Sequence, residues 1–154
     1  MEIFIIRHAH ALKGDDDAAR PLSRRGRAQI RTTARFLKRA GGLEVGELWH
    51  SPLVRARDTA VAMAKQLGLD VPLVEVAELG PGHDPALVAA RLAKQRESVA
   101  IVGHEPHLSA LASLLVTGRA EPPVFVLRKC AVLALGRERG RWAVLWQITP
   151  GLLA

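Results

Sequence analysis

Two histidines stand at matching places in this sequence. Ile5-Ile6-Arg7-His8 and Ile101-Val102-Gly103-His104 each run an apolar stretch into an imidazole. In an open parallel sheet, ligands bind beyond the carboxyl ends of the strands, so both histidines would lie where a site is expected. A single histidine at a strand end is ordinarily structural; two at equivalent ends, one preceded by an arginine, argue for chemistry. A third segment, Ser51-Pro52-Leu53-Val54-Arg55-Ala56-Arg57-Asp58-Thr59, also follows a strand pattern and opens a helix. Arg55 falls in its first turn, where backbone N–H groups favour anions. Arg57, two residues on, points to another face and reads as a surface or ion-pair residue. Arg20, ahead of Pro21-Leu22-Ser23, lies on the loop after the first strand and can swing over the same place. Arg7, Arg20 and Arg55 with His8 and His104 describe a pocket for a dianion, because a guanidinium fork matches phosphate oxygens.

The elements that must position these residues alternate in type. Ile3-Phe4-Ile5-Ile6 is a short apolar run rich in β-branched residues, the pattern of a strand buried on both faces. Residues 9–22 read as a polar loop. Ser23 caps a helix to about Ala40, where Gly41-Gly42 stops it. A strand over 47–50 leads to a helix capped by Ser51, with Pro52 in its first turn, that ends before Gly68. A strand over 71–76, a Gly- and Pro-rich loop over 79–85, and a helix capped by Asp84 and running to about Arg96 follow. Val99-Ala100-Ile101-Val102 is the second buried strand, and a helix spans about 107–116. Residues 131–135 and 142–148 read as two strands joined by a turn over 136–140. Trp142 and Trp146, four apart in a strand, should share a face. The expected fold is α/β: a three-layer sandwich with a mostly parallel central sheet, βαβ units and one antiparallel edge strand.

Composition narrows the function. The chain has 154 residues, 49% of them hydrophobic, so one domain with a real core is expected, without a large cap insertion. Its single cysteine, Cys130, can form neither an internal disulfide nor a thiolate zinc cluster, and reads as buried and inert. No apolar run reaches the roughly 18 residues that span a bilayer, and the first residues lack a signal-peptide pattern, which reads as a soluble, cytoplasmic protein. The net charge is +7 and the pI about 10.7, values common among nucleic-acid binders. With three Phe, three Trp and no Tyr, however, no basic cluster holds a stacking ring, which weighs against nucleic acid. Much of the charge falls on one segment, and Arg27, Arg31, Arg35 and Arg39 recur every fourth residue as a solvated helix stripe or a partner-binding surface.

Arg7-His8 after a leading strand, Ser51-Pro52-x-x-Arg55-Ala56-x-x-Thr59 and Val102-Gly103-His104, in this order and spacing, resemble the signatures of the histidine phosphatase superfamily, the phosphoglycerate mutase-like proteins. The short length, Arg20-Pro21-Leu22-Ser23 and the closing hairpin resemble its SixA branch, the phosphohistidine phosphatases. The resemblance implies that His8 is the nucleophile and takes the phosphoryl group on nitrogen. It further implies that Arg7, Arg20 and Arg55 bind phosphate, and that His104 stabilises the transferring group. His8 should then be neutral, with its other nitrogen donating to a fixed acceptor such as a backbone carbonyl. No metal or other cofactor is expected, since arginines replace the cation. One position departs: Ala9 stands where the family has Gly, and a positive φ there would strain it. For the general acid, Glu78, Asp17 and His10 stay open; the Asp15–Asp17 run also reads as a solvated loop.

Of the remaining histidines, His107 could line the pocket or cap a helix, His50 could support the pocket, and His83 sits at the rim. His104 and His107 are spaced like a metal pair, but no further His/Cys/Asp cluster supports one. The expected activity is hydrolysis of phosphohistidine on a phosphorylated protein. The rivals are a small-molecule phosphomonoesterase and a non-catalytic phosphate or polyanion binder. A monomer with no membrane association is expected.

Overall fold

The computed structural model describes residues 1–154. Its elements are β1 (Glu2–Arg7), α1 (Arg24–Arg39), β2 (Glu47–His50), α2 (Val54–Leu67), β3 (Leu73–Glu75), α3 (Pro85–Ala93), β4 (Val99–Gly103), α4 (His107–Thr117), β5 (Val132–Glu138), β6 (Arg141–Ile148) and a one-turn α5 (Pro150–Leu153). The six strands form one sheet in the order β3-β2-β4-β1-β5-β6. β3, β2, β4 and β1 run parallel; β5 pairs antiparallel with β1, and β6 antiparallel with β5. The fold is the expected mostly parallel α/β sandwich. The β5–β6 hairpin makes its antiparallel edge, and the reversed strand β5 lies one place inside that edge.

β1 shows why the sequence builds this sheet. Side chains alternate along a strand. Phe4 and Ile6 enter the layer shared with α1 and α2, with Ile30, Leu37 and Met63 among their neighbours. Ile3 and Ile5 enter the opposite layer, shared with α3 and α4, against Val88, Leu108 and Leu111. Ile3, Ile5 and Ile6 are fully buried; removing each from water contributes about 1.5–3 kcal/mol. A strand apolar on both faces must lie between two helical layers, which places β1 and β4 side by side at the sheet centre. His8 and His104 follow these two strands directly, so they come out next to each other at the same end.

Ser23 caps α1 as expected, its side chain accepting from the Gly26 N–H, and Gly68 ends α2 in the left-handed conformation. Asp84 caps α3, which stops at Ala93, short of Arg96. β3 is limited to Leu73–Glu75. Ser51 does not cap α2: the helix begins at Val54, Leu53 holds the cap position, and the Ser51 side chain is directed elsewhere. The segment 9–22 is more ordered than a free loop. An isolated antiparallel bridge joins Ala11 to Leu22, and Asp17–Ala19 forms a short 3-10 turn capped by Asp16.

The two tryptophans of β6 do not share a face. A bulge shifts the register so that Ala134 opposes Trp146 while Leu135 opposes Val144. One extra residue reverses the alternation. Trp146 therefore packs on the α1/α2 layer, tilted against Phe4 at 5.9 Å between ring centroids. Trp142 packs on the α3/α4 layer, under the Arg137 guanidinium. β5 and β6 both run further into the expected turn, leaving it to Arg139 and Gly140, both with positive φ.

Candidate active site

The backbone fixes His8 before any side chain does. Its N–H donates to the Gly103 carbonyl at 2.9 Å, which ties the end of β1 to the end of β4. On the other side, the Cys130 N–H reaches the Arg7 and His8 carbonyls at 3.1 and 3.2 Å. The His8 ring is 6% exposed, and its Nδ1 lies 2.7 Å from the Ala9 carbonyl. A carbonyl can only accept, so Nδ1 carries the proton and Nε2 keeps its lone pair. Burial, then His104, Arg55 and Arg7, push the His8 pKa down to about 3 against the support of the Ala9 bond. His8 is thus a neutral imidazole with one defined tautomer at neutral pH.

Ala9 carries no strain. It is absent from the positive-φ residues, and its methyl is fully buried in the α1/α2 layer. Its N–H donates to Thr59 Oγ1 at 3.0 Å, and the Thr59 hydroxyl donates to the Arg55 carbonyl at 2.7 Å. This buried relay fastens the turn after His8 to the first turns of α2. It gives the Thr59 of the motif a physical task that its spacing in the sequence did not disclose.

His104 faces His8 with 5.1 Å between ring centroids and 52° between planes. Its Nε2 lies 2.7 Å from Ser51 Oγ, which also accepts from the Leu53 N–H at 3.2 Å. Ser51 is fully buried, and this is the use of the side chain that failed to cap α2. Burial and the Arg55 charge lower the His104 pKa to about 4, with smaller contributions from His107 and Arg7 and an opposing one from Asp17.

The three arginines reach this place from different elements. Arg55, in the first turn of α2, is 6% exposed; its Nη1 donates to the Asp17 carbonyl at 2.7 Å and its Nη2 meets Asp17 Oδ2 at 3.3 Å. Arg20 is held by Leu12, Nε to carbonyl at 2.8 Å, and its Nη1 reaches Asp17 Oδ1 at 3.2 Å. Arg7 ends β1, and its Nη1 donates to the Leu127 carbonyl at 2.9 Å. Arg7 Nε, Arg55 Nε and His104 Nδ1 are buried with no protein partner. Buried polar atoms are nearly always paired, so three orphans on residues whose charges all act on His8 mark a place built for an acceptor. No cluster of His, Cys, Asp or Glu suited to a metal occurs in the chain.

Asp17 sits on the arginines as an anion. Its hydrogen bond from Arg20, with further help from Arg55, holds the carboxyl below the usual carboxylate range. In this arrangement it is an ionised acceptor and not a proton donor. Glu78 lies on a short 3-10 turn, Ala77–Leu79, past the carboxyl end of β3 and half-buried. His10 is bound to Ser23, Nδ1 to Oγ at 2.6 Å, which pins the loop to the start of α1. His50 Nδ1 lies 2.9 Å from the Ser51 carbonyl, beside the site. His107 is buried with both ring nitrogens unpartnered and lines a separate cavity with His83, Asp84 and Glu105. Arg57 pairs with Asp58 at 3.1 Å on the surface. The Cys130 thiol is fully buried, with its pKa pushed up to about 12 by desolvation, so it stays protonated. Sequence reading missed the Leu127 carbonyl and the bond from Ala9 to Thr59, because both join segments that meet only in the fold.

Comparison with known proteins agrees with the geometry. No curated protein matches this sequence. The whole chain superposes on the whole of the protein histidine phosphatase SixA complexed with tungstate, at 29% identity and a TM-score of 0.90. The alpha-ribazole phosphatase from Shigella flexneri shares the fold at 19% identity and a TM-score of 0.79, over 94% of each chain. A mycobacterial glucosyl-3-phosphoglycerate phosphatase complexed with VO3 shares it at 18% identity and a TM-score of 0.70, over 94% of this chain and 97% of that one. The family model of the histidine phosphatase superfamily, branch 1, matches residues 3–80 and so takes in His8, Arg20, Ser51 and Arg55. With more than half of the chain under that match and the rest of the fold in agreement, this chain belongs to the histidine phosphatase superfamily.

Proposed function

We propose that the protein is a phosphohistidine phosphatase that acts on a phosphorylated protein through a phospho-His8 intermediate. The observation that carries this reading is the Nδ1 bond from His8 to the Ala9 carbonyl, which leaves Nε2 as a neutral nucleophile beside Arg7, Arg55 and His104. In the first step the Nε2 lone pair forms a bond to phosphorus while the bond from phosphorus to the substrate's imidazole nitrogen breaks. The substrate's imidazole, protonated from solvent on its other nitrogen, takes that electron pair and leaves as neutral imidazole. In the second step a water oxygen attacks phosphorus and gives up one proton to solvent, the bond to Nε2 breaks, and the pair returns to His8 as hydrogen phosphate departs.

Phosphoryl transfer spreads charge over the equatorial oxygens, so positioning and electrostatics supply most of the rate. Arg7, Arg55 and Arg20 would hold those oxygens by guanidinium forks. His104 would add a hydrogen bond from Nδ1, its ring fixed by Ser51 on Nε2. Arginines surrounded by protein act at full strength because little water screens them. A protonated imidazole leaves readily, so phosphohistidine hydrolysis asks little of a dedicated acid. This suits a site in which the carboxylate bound to Arg20 and Arg55, Asp17, is held ionised. The SixA likeness at 29% identity supports phosphohistidine over an ester substrate.

The test is direct. Mixing the enzyme with a 32P-labelled phosphohistidine protein and quenching in base should trap label on the intact protein, and His8→Ala should remove both label and turnover. Equal turnover by His8→Ala would overturn the enzyme reading. A panel of phosphate esters run alongside separates substrates: a strong preference for one small ester would make the protein a small-molecule phosphomonoesterase.

A further inference from the structure

The proposed phosphate site uses Arg7, Arg20 and Arg55 and leaves other cations beside it without a counter-ion. A cleft of ≈ 500 Å³ opens next to Arg7, lined by His10, Arg25, Arg128 and Lys129 and closed by residues 149–151 at the start of α5. No acidic and no hydrophobic side chain lines it. The salt bridges of the chain are Arg20–Asp17, Arg55–Asp17 and Arg57–Asp58, so Arg25, Arg128 and Lys129 are unpaired. Lys129 is half-buried, and its ammonium is pushed below its ordinary range by burial and then by Arg7, Arg20, Arg25 and Arg55. His10 is lowered by burial and then by Lys129, Arg25 and Arg20. Like charges gathered in one cleft raise each other's cost, and an anion placed among them relieves it.

We propose that this cleft is a second anion subsite, which takes a carboxylate side chain adjoining the phosphohistidine in an acidic segment of a protein substrate. The inference rests on the proposed function and adds to it the charge of the sequence around the phosphorylated residue. Arg7 borders both sites, so a chain that presents its phosphoryl group to His8 lays neighbouring residues across this rim. A carboxylate there meets three unpaired cations; a neutral side chain gains nothing from them. No Phe or Trp lines the cleft, so a nucleobase would find no ring to stack on, which favours a polypeptide over nucleic acid.

Two phosphohistidine peptides of equal length test this, one flanked by Glu and one by Gln. At low salt the intact enzyme should show a kcat/KM about tenfold higher for the acidic peptide, the effect of two or three partly exposed ion pairs. Arg25→Gln with Lys129→Gln should bring the ratio to within about twofold. Arg31→Gln with Arg35→Gln removes the same charge from outside the cleft and should leave the ratio unchanged. Equal kcat/KM for the two peptides in the intact enzyme would overturn the subsite, as would an equal loss of preference in both double variants. Fluorescence anisotropy with the same peptides lacking phosphate gives a readout independent of turnover. Tighter binding of the acidic peptide, lost on substituting Arg25 and Lys129, upholds the subsite; no such difference overturns it, as does displacement by a single-stranded oligonucleotide that binds more tightly. If an aryl phosphate is hydrolysed but neither phosphopeptide is, the phosphohistidine reading fails alone, and the anisotropy comparison still decides the cleft.

Discussion

Two arginine-rich regions of this molecule differ in everything except residue type. Along α1, Arg24, Arg27, Arg31, Arg35 and Arg39 are exposed and form no salt bridge. At the end of the sheet, Arg55 is 6% exposed, held by Asp17 through two nitrogens, and has a third nitrogen buried without a partner. The first group is solvated and its field is screened within about 10 Å at ordinary salt. The second is oriented, desolvated and close enough to help keep His8 neutral. Charge count does not separate the two; burial and fixed direction do, because both raise the strength of each interaction with a phosphoryl oxygen.

The largest break in this contrast should come from Arg55. Arg55→Ala should lower kcat/KM for an aryl phosphate by about 10³-fold, the scale of losing one oriented charged donor in a desolvated site. A loss of less than tenfold in steady-state assays would place Arg55 with the solvated group. Ser51→Ala should be milder, about tenfold in kcat, because it frees the His104 ring without removing it. Restoration by Ser51→Thr would assign the effect to the hydroxyl.

Acidity offers a third test. His8 at about 3 and His104 at about 4 are neutral in the native state well below the ordinary value of 6.5. Below pH 6.5 the unfolded chain binds these protons and the native state does not, so stability is full above that pH and falls as pH drops toward 4. Each group contributes a slope of up to about 1.4 kcal/mol per pH unit in that window. The Tm measured by calorimetry should therefore decline between pH 7 and 5, and His8→Ala should flatten part of the decline. A Tm constant over that range would contradict the burial of both rings. At the other extreme, Arg31→Gln on α1 should change stability by less than about 0.5 kcal/mol and leave aryl phosphate turnover within about twofold. A larger effect would show that the stripe is coupled to the site.

Part of this site is legible in the sequence, and the rest depends on contacts between distant segments. His8 and His104 lie together because a doubly apolar strand must be central in such a sheet, and both follow one. The pairing of Nδ1 with a carbonyl was expected from chemistry, and the structure supplies Ala9 as the acceptor. Ser51 has the sequence of a cap, standing before Pro52, but its burial beside His104 gives the hydroxyl another partner. The shared face of Trp142 and Trp146 failed at a bulge, which depends on how β5 and β6 meet and has no signature in either strand alone. Asp17 stays open as an acid in the sequence, but in the fold Arg20 and then Arg55, brought by α2 from 38 residues away, hold its carboxyl ionised.

The sequence alone therefore determined the order of the main strands and helices, the end of the sheet that carries both histidines, and the residue types gathered there, because apolar period and strand ends are local properties. Only the tertiary structure decided protonation and partnership: which nitrogen of His8 is free, which arginines are desolvated, and which cations around Lys129 face one another unpaired. Those are set by distances between segments far apart in the chain, which no local pattern of residues records.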